Sequence, residues 1–146
     1  MPTLRLEIIT AERLVYADDV EIVVAPGVEG QLGILPRHTP LMTALQPGEI
    51  MIRKNGEPTY LAVTGGFMEV MGNKVTILAD ACERSEEIDE VRAQAAMESA
   101  RAQLARRESD LELQQAVIAV RRAEARLNVA RRRRPRARPE GPPGGG

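Results

Sequence analysis

The sequence predicts an all-β sandwich of about ten short antiparallel strands, followed by a C-terminal two-helix antiparallel hairpin. Three observations carry this expectation. Short β-branched runs separated by turn residues fill the first 85 positions, and the stretch from Ile88 to Arg134 contains neither glycine nor proline. The charge also changes sign between the halves, with 13 acids against 7 bases over residues 1–87 and 8 acids against 13 arginines over 88–146. Such an asymmetry marks separate modules with separate partners. The expected division is a β domain over 1–85, a helical arm over 86–133 and a tail over 134–146.

Leu4, Leu6 and Ile8 alternate with Arg5 and Glu7, the period of a half-buried strand. Leu14 to Tyr16 and Val20 to Val24 follow as β-branched runs, with Ala17-Asp18-Asp19 read as a turn between them. Further strands are expected from Glu49 to Arg53, Thr59 to Val63, Phe67 to Met71 and Lys74 to Leu78. Each is bounded by Pro47-Gly48, Asn55-Gly56, Gly65-Gly66 or Gly72-Asn73. Asn55-Gly56 is a strong hairpin signal, because both residues tolerate positive φ. Many short strands at close spacing fit a sandwich or a barrel. Gly27, Gly30 and Gly33 lie in a looser stretch. No Lys-Ser/Thr follows them, so tight turns between short strands explain them better than a phosphate loop.

After Glu87 the composition turns to Ala, Arg, Glu, Gln and Leu, all strong helix formers. Ser85 offers a capping hydroxyl, and Ser109-Asp110-Leu111-Glu112 matches a capping box. Helices are therefore expected over about 88–106 and 110–132, each roughly 30 Å long. The apolar positions are Ile88, Val91, Ala95, Ala96, Ala100, Ala102 and Leu104 in the first helix. In the second they are Leu113, Ala116, Val117, Val120, Ala123, Leu127 and Ala130. Alanine buries little area, so such a pair packs weakly. Two outcomes stay open: a stable pair on the β domain, or an arm that opens and refolds against a partner. The tail, with RRRRPRAR and then PEGPPGGG, is expected to be disordered.

Cys82 is the single cysteine, which excludes an internal disulfide and fits a reducing compartment. No apolar run is long enough to span a membrane, and the start MPTLRLEIIT shows no signal peptide. His38 is the single histidine, so no metal cluster or His-based catalytic group is expected. Arg122 and Arg126 share a helix face with no carboxylate one turn away. An anion would turn their repulsion into binding, although two solvated arginines explain them equally well. The Arg131–Arg138 run could contact phosphates, but no aromatic platform or recognition motif accompanies it, so nucleic acid is not an expected partner.

Several stretches together resemble the epsilon subunit of F-type ATP synthases: LRLEIIT, APGVEGQLGILPRHTPLMTALQPGEI, YLAVTGGFMEVMGNKVTILAD and IDEVRA. Their order and spacing agree over residues 3–130. The block with Gly33-Ile34-Leu35-Pro36, His38, Pro40-Leu41 and Pro47-Gly48 is highly specific.

The resemblance implies a non-catalytic rotor component, peripheral on the cytoplasmic face of a bacterial membrane and attached to it only through the complex. Its partners would be the gamma subunit, the c-subunit ring and, through the helices, the alpha/beta catalytic head. Loops carrying Glu29, Gly30, Gln31, His38 and Met42 would look toward the ring and gamma. The helices would lie on the sandwich or rise along gamma and hinder ATP hydrolysis. No cofactor is required, and ATP is implied as a regulatory ligand. An I/L-D-x-x-R-A motif reads here Ile88-Asp89-Glu90-Val91-Arg92-Ala93, and Glu83, Arg122 and Arg126 have the residue types of the same site. Ser99 stands where a further basic residue is often found, with Arg101 nearby. The arginine tail is not part of the resemblance.

Overall fold

A computed structural model describes residues 2–132 of the chain, so the expected tail and the last expected residue of the arm lie outside the described residues. The strands are β1 (Leu4–Ile9), β2 (Leu14–Val20), β3 (Ile22–Gly27), β4 (Gly30–Ile34), β5 (Leu41–Leu45), β6 (Gly48–Lys54), β7 (Glu57–Val63), β8 (Gly66–Met71), β9 (Lys74–Ala79) and β10 (Cys82–Arg84). A 3₁₀ turn (Ser85–Glu87) leads to α1 (Glu90–Arg106) and α2 (Asp110–Arg132).

The strands form one sheet in the order β10-β7-β6-β3-β5-β8-β9-β1-β2, with β4 paired to β3. Pairings are antiparallel except β1 with β9, which run parallel. The sheet folds over its own apolar face, burying Leu6, Ile8, Ile50, Ile52, Leu61, Met68 and Ile77 completely or nearly so. Its two ends meet: Arg84 on β10 donates a 2.7 Å hydrogen bond to the Val15 carbonyl on β2. The Arg84 guanidinium also lies over the Tyr16 ring, and Lys54 on β6 pairs with Asp18 on β2. The result is the expected sandwich, nearly closed.

The turn chemistry holds where the hairpin signal was strongest. Asn55 and Gly56 both take positive φ, at 53° and 77°, and join β6 to β7. Glu21 braces that turn by accepting from both backbone N–H groups, at 3.0 and 3.2 Å. Gly66 has a different reason to be glycine. At φ 137° an added Cβ would meet the Leu78 carbonyl oxygen at 2.1 Å.

Two local expectations are corrected. Ala17-Asp18-Asp19 is no turn: β2 runs through it, because β1 pairs it residue for residue and Arg5 and Lys54 face the two acids. The stretch from Ala25 to Gly48 follows its reading as tight turns between short strands: it holds β4 and β5, each five residues long, with glycine in β4 only. The first helix begins at Glu90, not at Ile88. Asp89 is its N-cap, its carboxylate accepting from the N–H groups of Val91 and Arg92 at 3.0 and 3.2 Å.

The second capping box forms with a shift. Ser109 Oγ accepts from Glu112 N–H at 3.1 Å, while the Glu112 carboxylate accepts from Glu108 N–H rather than from Ser109. In α1 the buried stripe is Ala93, Met97 and Ala100; Val91 is 79% exposed, and Ala95 and Ala102 also face out. An alanine-rich helix offers several faces of similar hydrophobicity, so its phase is set by what it packs on.

Candidate functional site

The two helices do not sit on the sheet equally. α2 packs on β6, β7, β10 and the 3₁₀ turn, and α1 packs on α2. A second apolar cluster joins them, separate from the sandwich core. It consists of Ala62, Ile88, Ala93, Ala125, Leu127, Val129 and Ala130, with Tyr60 against its edge. Small residues dominate it, so helix and sheet approach closely while little apolar area is buried.

The junction between the modules is strapped to the sheet. Glu87 in the 3₁₀ turn pairs with Arg13 at 2.9 Å and accepts from the Arg84 backbone N–H at 2.9 Å. The Arg13 hydrogen bond is the main reason that the Glu87 carboxyl titrates below the usual carboxylate range. Arg84 is itself held by Val15 and Tyr16. Ile88 and Asp89 then run extended into α1, with Ile88 at 2% exposure. Cys82 is buried beside this junction, and burial pushes its thiol pKa up to about 12, so it is inert as a nucleophile near neutral pH.

The structure joins two of the sequence-predicted nucleotide-site residues directly. Arg126 on α2 donates from Nε and a terminal nitrogen to the two carboxylate oxygens of Glu83 on β10, at 2.6 and 3.3 Å. Both side chains are about one-third exposed or less. The carboxylate that Arg126 lacks one turn away on its own helix thus comes from 43 residues away. Ile88 and Ala93 share the second apolar cluster. Arg92, in the first turn of α1, and Arg122, one turn before Arg126, are exposed, and neither guanidinium has a partner among the described residues. Asp89 is committed to helix capping, so it forms no ion pair with Arg92.

The expected ring- and gamma-facing residues fall into different surroundings. Glu29 and Gly30 are exposed at the β3–β4 hairpin, whose Val28 N–H donates to the Ala44 carbonyl. Gln31 on β4 lines a cleft between α2 and the sheet. His38 lies in the connection at the other end of β4, its Nδ1 2.7 Å from the Thr39 carbonyl, which can only accept. The neighbouring Arg37 takes φ 66° and donates its N–H to the Asn73 side chain. Met42 on β5 is 69% exposed.

One surface was not picked out by sequence reasoning. Register places Ala44, Phe67, Leu78, Ile9 and Leu14 side by side across β5, β8, β9, β1 and β2. Phe67, Leu78 and Leu14 are each more than half exposed. Five strands at about 4.8 Å spacing make this an outward apolar row about 20 Å long. Strand alternation gave the outward direction of Phe67 and Leu78. Their alignment into a row needed the strand order.

Residues 3–85 match the family described as ATP synthase, Delta/Epsilon chain, beta-sandwich domain. Residues 86–131 match its long alpha-helix domain. The chain is 54% identical over 133 residues to the ATP synthase epsilon chain of Herpetosiphon aurantiacus, covering 91% of this chain and 98% of that one. It is 47% identical over 135 residues to the epsilon chain of Dehalococcoides mccartyi, covering 92% and 96%. Among solved structures, a chain of the Euglena gracilis mitochondrial ATP synthase, described as OSCP/F1/c-ring, superposes with a TM-score of 0.75 at 25% identity, covering 89% of this chain and 82% of that one. With matches along both the strands and the helices, the chain belongs to the ATP synthase epsilon chain family, as an epsilon subunit of the F-type enzyme.

Proposed function

We propose that the chain is a non-catalytic central-stalk subunit whose β sandwich docks on the gamma subunit and the c ring and whose helical arm restrains ATP hydrolysis. The observation that carries the reading is the independence of the arm. The sandwich has a complete core of its own, while the helices attach through a separate cluster rich in alanine and chiefly through α2. An element held this way has two poses of similar free energy, and a partner that prefers one pose shifts the balance. The excess of arginine in residues 88–146 suits an acidic surface on the catalytic head.

The outward row of Phe67, Leu78 and Leu14 supports docking to gamma, since a continuous exposed apolar patch is costly unless covered. Glu29, Gly30, Gln31, His38 and Met42 are assigned to the ring and gamma side by family resemblance. No described helix is long and apolar enough to cross a membrane. Attachment to the cytoplasmic face then runs through the complex.

The test is removal of residues 88–146 from the assembled enzyme. The truncated subunit still copurifies with gamma, and ATP hydrolysis rises. Unchanged hydrolysis removes the restraining role, and failure of the full chain to associate with gamma removes the docking role.

ATP as a regulatory ligand is a second reading, favoured by the guanidiniums of Arg92 on α1 and Arg122 on α2, which are exposed and without a partner among the described residues. A triphosphate would supply the anion they lack and hold the arm down. Titration calorimetry of the full chain with ATP measures this. Heats that are absent, or that persist unchanged in Arg92→Ala and Arg126→Ala, reject it.

A further inference from the structure

We propose that Arg131 and Arg132, at the end of α2, form a two-sided clasp that sets how much of the arm is closed on the sheet. The inference rests on the reading of the arm as a movable element.

The two neighbours reach in different directions, because consecutive helical residues are turned by about 100°. Arg131 reaches to α1. Its Nε lies 3.3 Å from Glu90 Oε2, and a terminal nitrogen donates to Gln94 Oε1 at 3.0 Å. Arg132 reaches to the sheet. Its Nε donates to Glu49 Oε1 on β6 at 2.7 Å, and its guanidinium carbon lies 4.0 Å from the centre of the Tyr60 ring on β7. One turn of α2 therefore grips both the outer helix and the β layer.

The remainder of this α2 face explains why such a grip matters. A cleft of about 560 Å³ separates it from β3 and β6. At the near end of the cleft Arg121 donates to Gln46 Oε1 at 3.3 Å. At the far end stands Arg132, eleven residues or about 16 Å along the helix. Between them Glu124, Ala125 and Asn128 line the cleft, so on its open side the Arg121 and Arg132 contacts tie the helix to the sheet side. Arginine suits the Arg132 position better than lysine, because a planar guanidinium can pair with a carboxylate through its N–H edge while its face lies on an aromatic ring.

Hydrogen exchange on the full chain measures the clasp. In Arg132→Ala the amides of Leu127 to Ala130 exchange about tenfold faster, the shift that an ion pair and a cation–π contact together produce at a partly exposed site. Arg132→Lys falls between wild type and Arg132→Ala. Adding Glu49→Gln to Arg132→Ala changes little further, while the Ile50 and Leu61 amides in the sandwich keep wild-type protection. Wild-type exchange along α2 in Arg132→Ala overturns the clasp.

The assembled enzyme separates this inference from the arm reading. A looser clasp favours the raised arm, so Arg132→Ala lowers ATP hydrolysis. If hydrolysis ignores both Arg132→Ala and removal of residues 88–146 while exchange still accelerates, the arm reading fails and the clasp survives. If hydrolysis responds to the truncation but exchange does not respond to Arg132→Ala, the clasp alone fails.

Discussion

Arg126 on α2 and Glu83 on β10 meet at two points, 2.6 and 3.3 Å apart, across the boundary between arm and sandwich. The geometry is a fork facing a carboxylate, and both groups are partly withdrawn from water. Removing one partner leaves the other charge half-buried and alone. Arg126→Ala is therefore expected to weaken arm docking by about 1–2 kcal/mol, more than a fully exposed pair would show. Exchange of α2 amides, with the sandwich amides as internal reference, checks this. Equal protection in wild type and variant would contradict it.

Ala93 on α1 and Ala130 on α2 are both fully buried in the second cluster. The cluster has no room for a larger side chain without displacement of a helix. Ala130→Leu should cost about 1–3 kcal/mol of docking free energy through overpacking. Urea titration followed by exchange would then show an arm transition ahead of the sandwich transition, where wild type shows the two closer together.

The outward row on β8 and β9 makes the opposite prediction. Phe67 and Leu78 are 58% and 55% exposed, so they contribute little to the chain's own stability. Phe67→Asp should change that stability by about 1 kcal/mol or less. The same change places a charge in the middle of the row and should abolish copurification with gamma. Retained copurification would move the docking face elsewhere.

The Arg13–Glu87 strap predicts an acid-side dependence. The folded Glu87 pKa lies below its unfolded value of about 4.3. Its contribution is therefore complete above about pH 4.3 and is lost as the pH falls through the folded pKa. Residues near Glu87 should lose exchange protection in that window, and Arg13→Ala should weaken the pH dependence, leaving the part due to the Arg84 N–H. A strap that loosens instead as the pH rises toward neutrality would contradict this sign.

Much of the fold was legible because its signals were local. Leu4, Leu6 and Ile8 announced a strand by alternation, and Asn55-Gly56 announced a hairpin by the positive φ that both residues adopt. The loss of glycine and proline after Glu87 announced the helices. The errors arose where local signals were weak or were overruled by a neighbour. Asp18 and Asp19 read as a turn until β1 paired them. The phase of α1 was misjudged because alanine marks no face strongly, so Val91 turned out exposed and Ala93 buried.

The candidate site divided along the same line. Ile88-Asp89-Glu90-Val91-Arg92-Ala93 was recognisable as a motif, and the lack of a carboxylate near Arg126 on its own helix was visible as a deficit. That the deficit is filled by Glu83 was decided by the packing of α2 against β10. The outward apolar row likewise required the order β5-β8-β9-β1-β2 and a parallel β1–β9 pairing that no local pattern encodes. By itself the sequence determined the change from strands to helices after Glu87, the charge of each half and the kinds of residue at that junction. The tertiary structure alone decided which helix packs on the sheet and which carboxylates Arg126, Arg131 and Arg132 meet. Period and propensity act over a few residues, whereas pairing across strands and helices is settled by contacts between residues far apart in the chain.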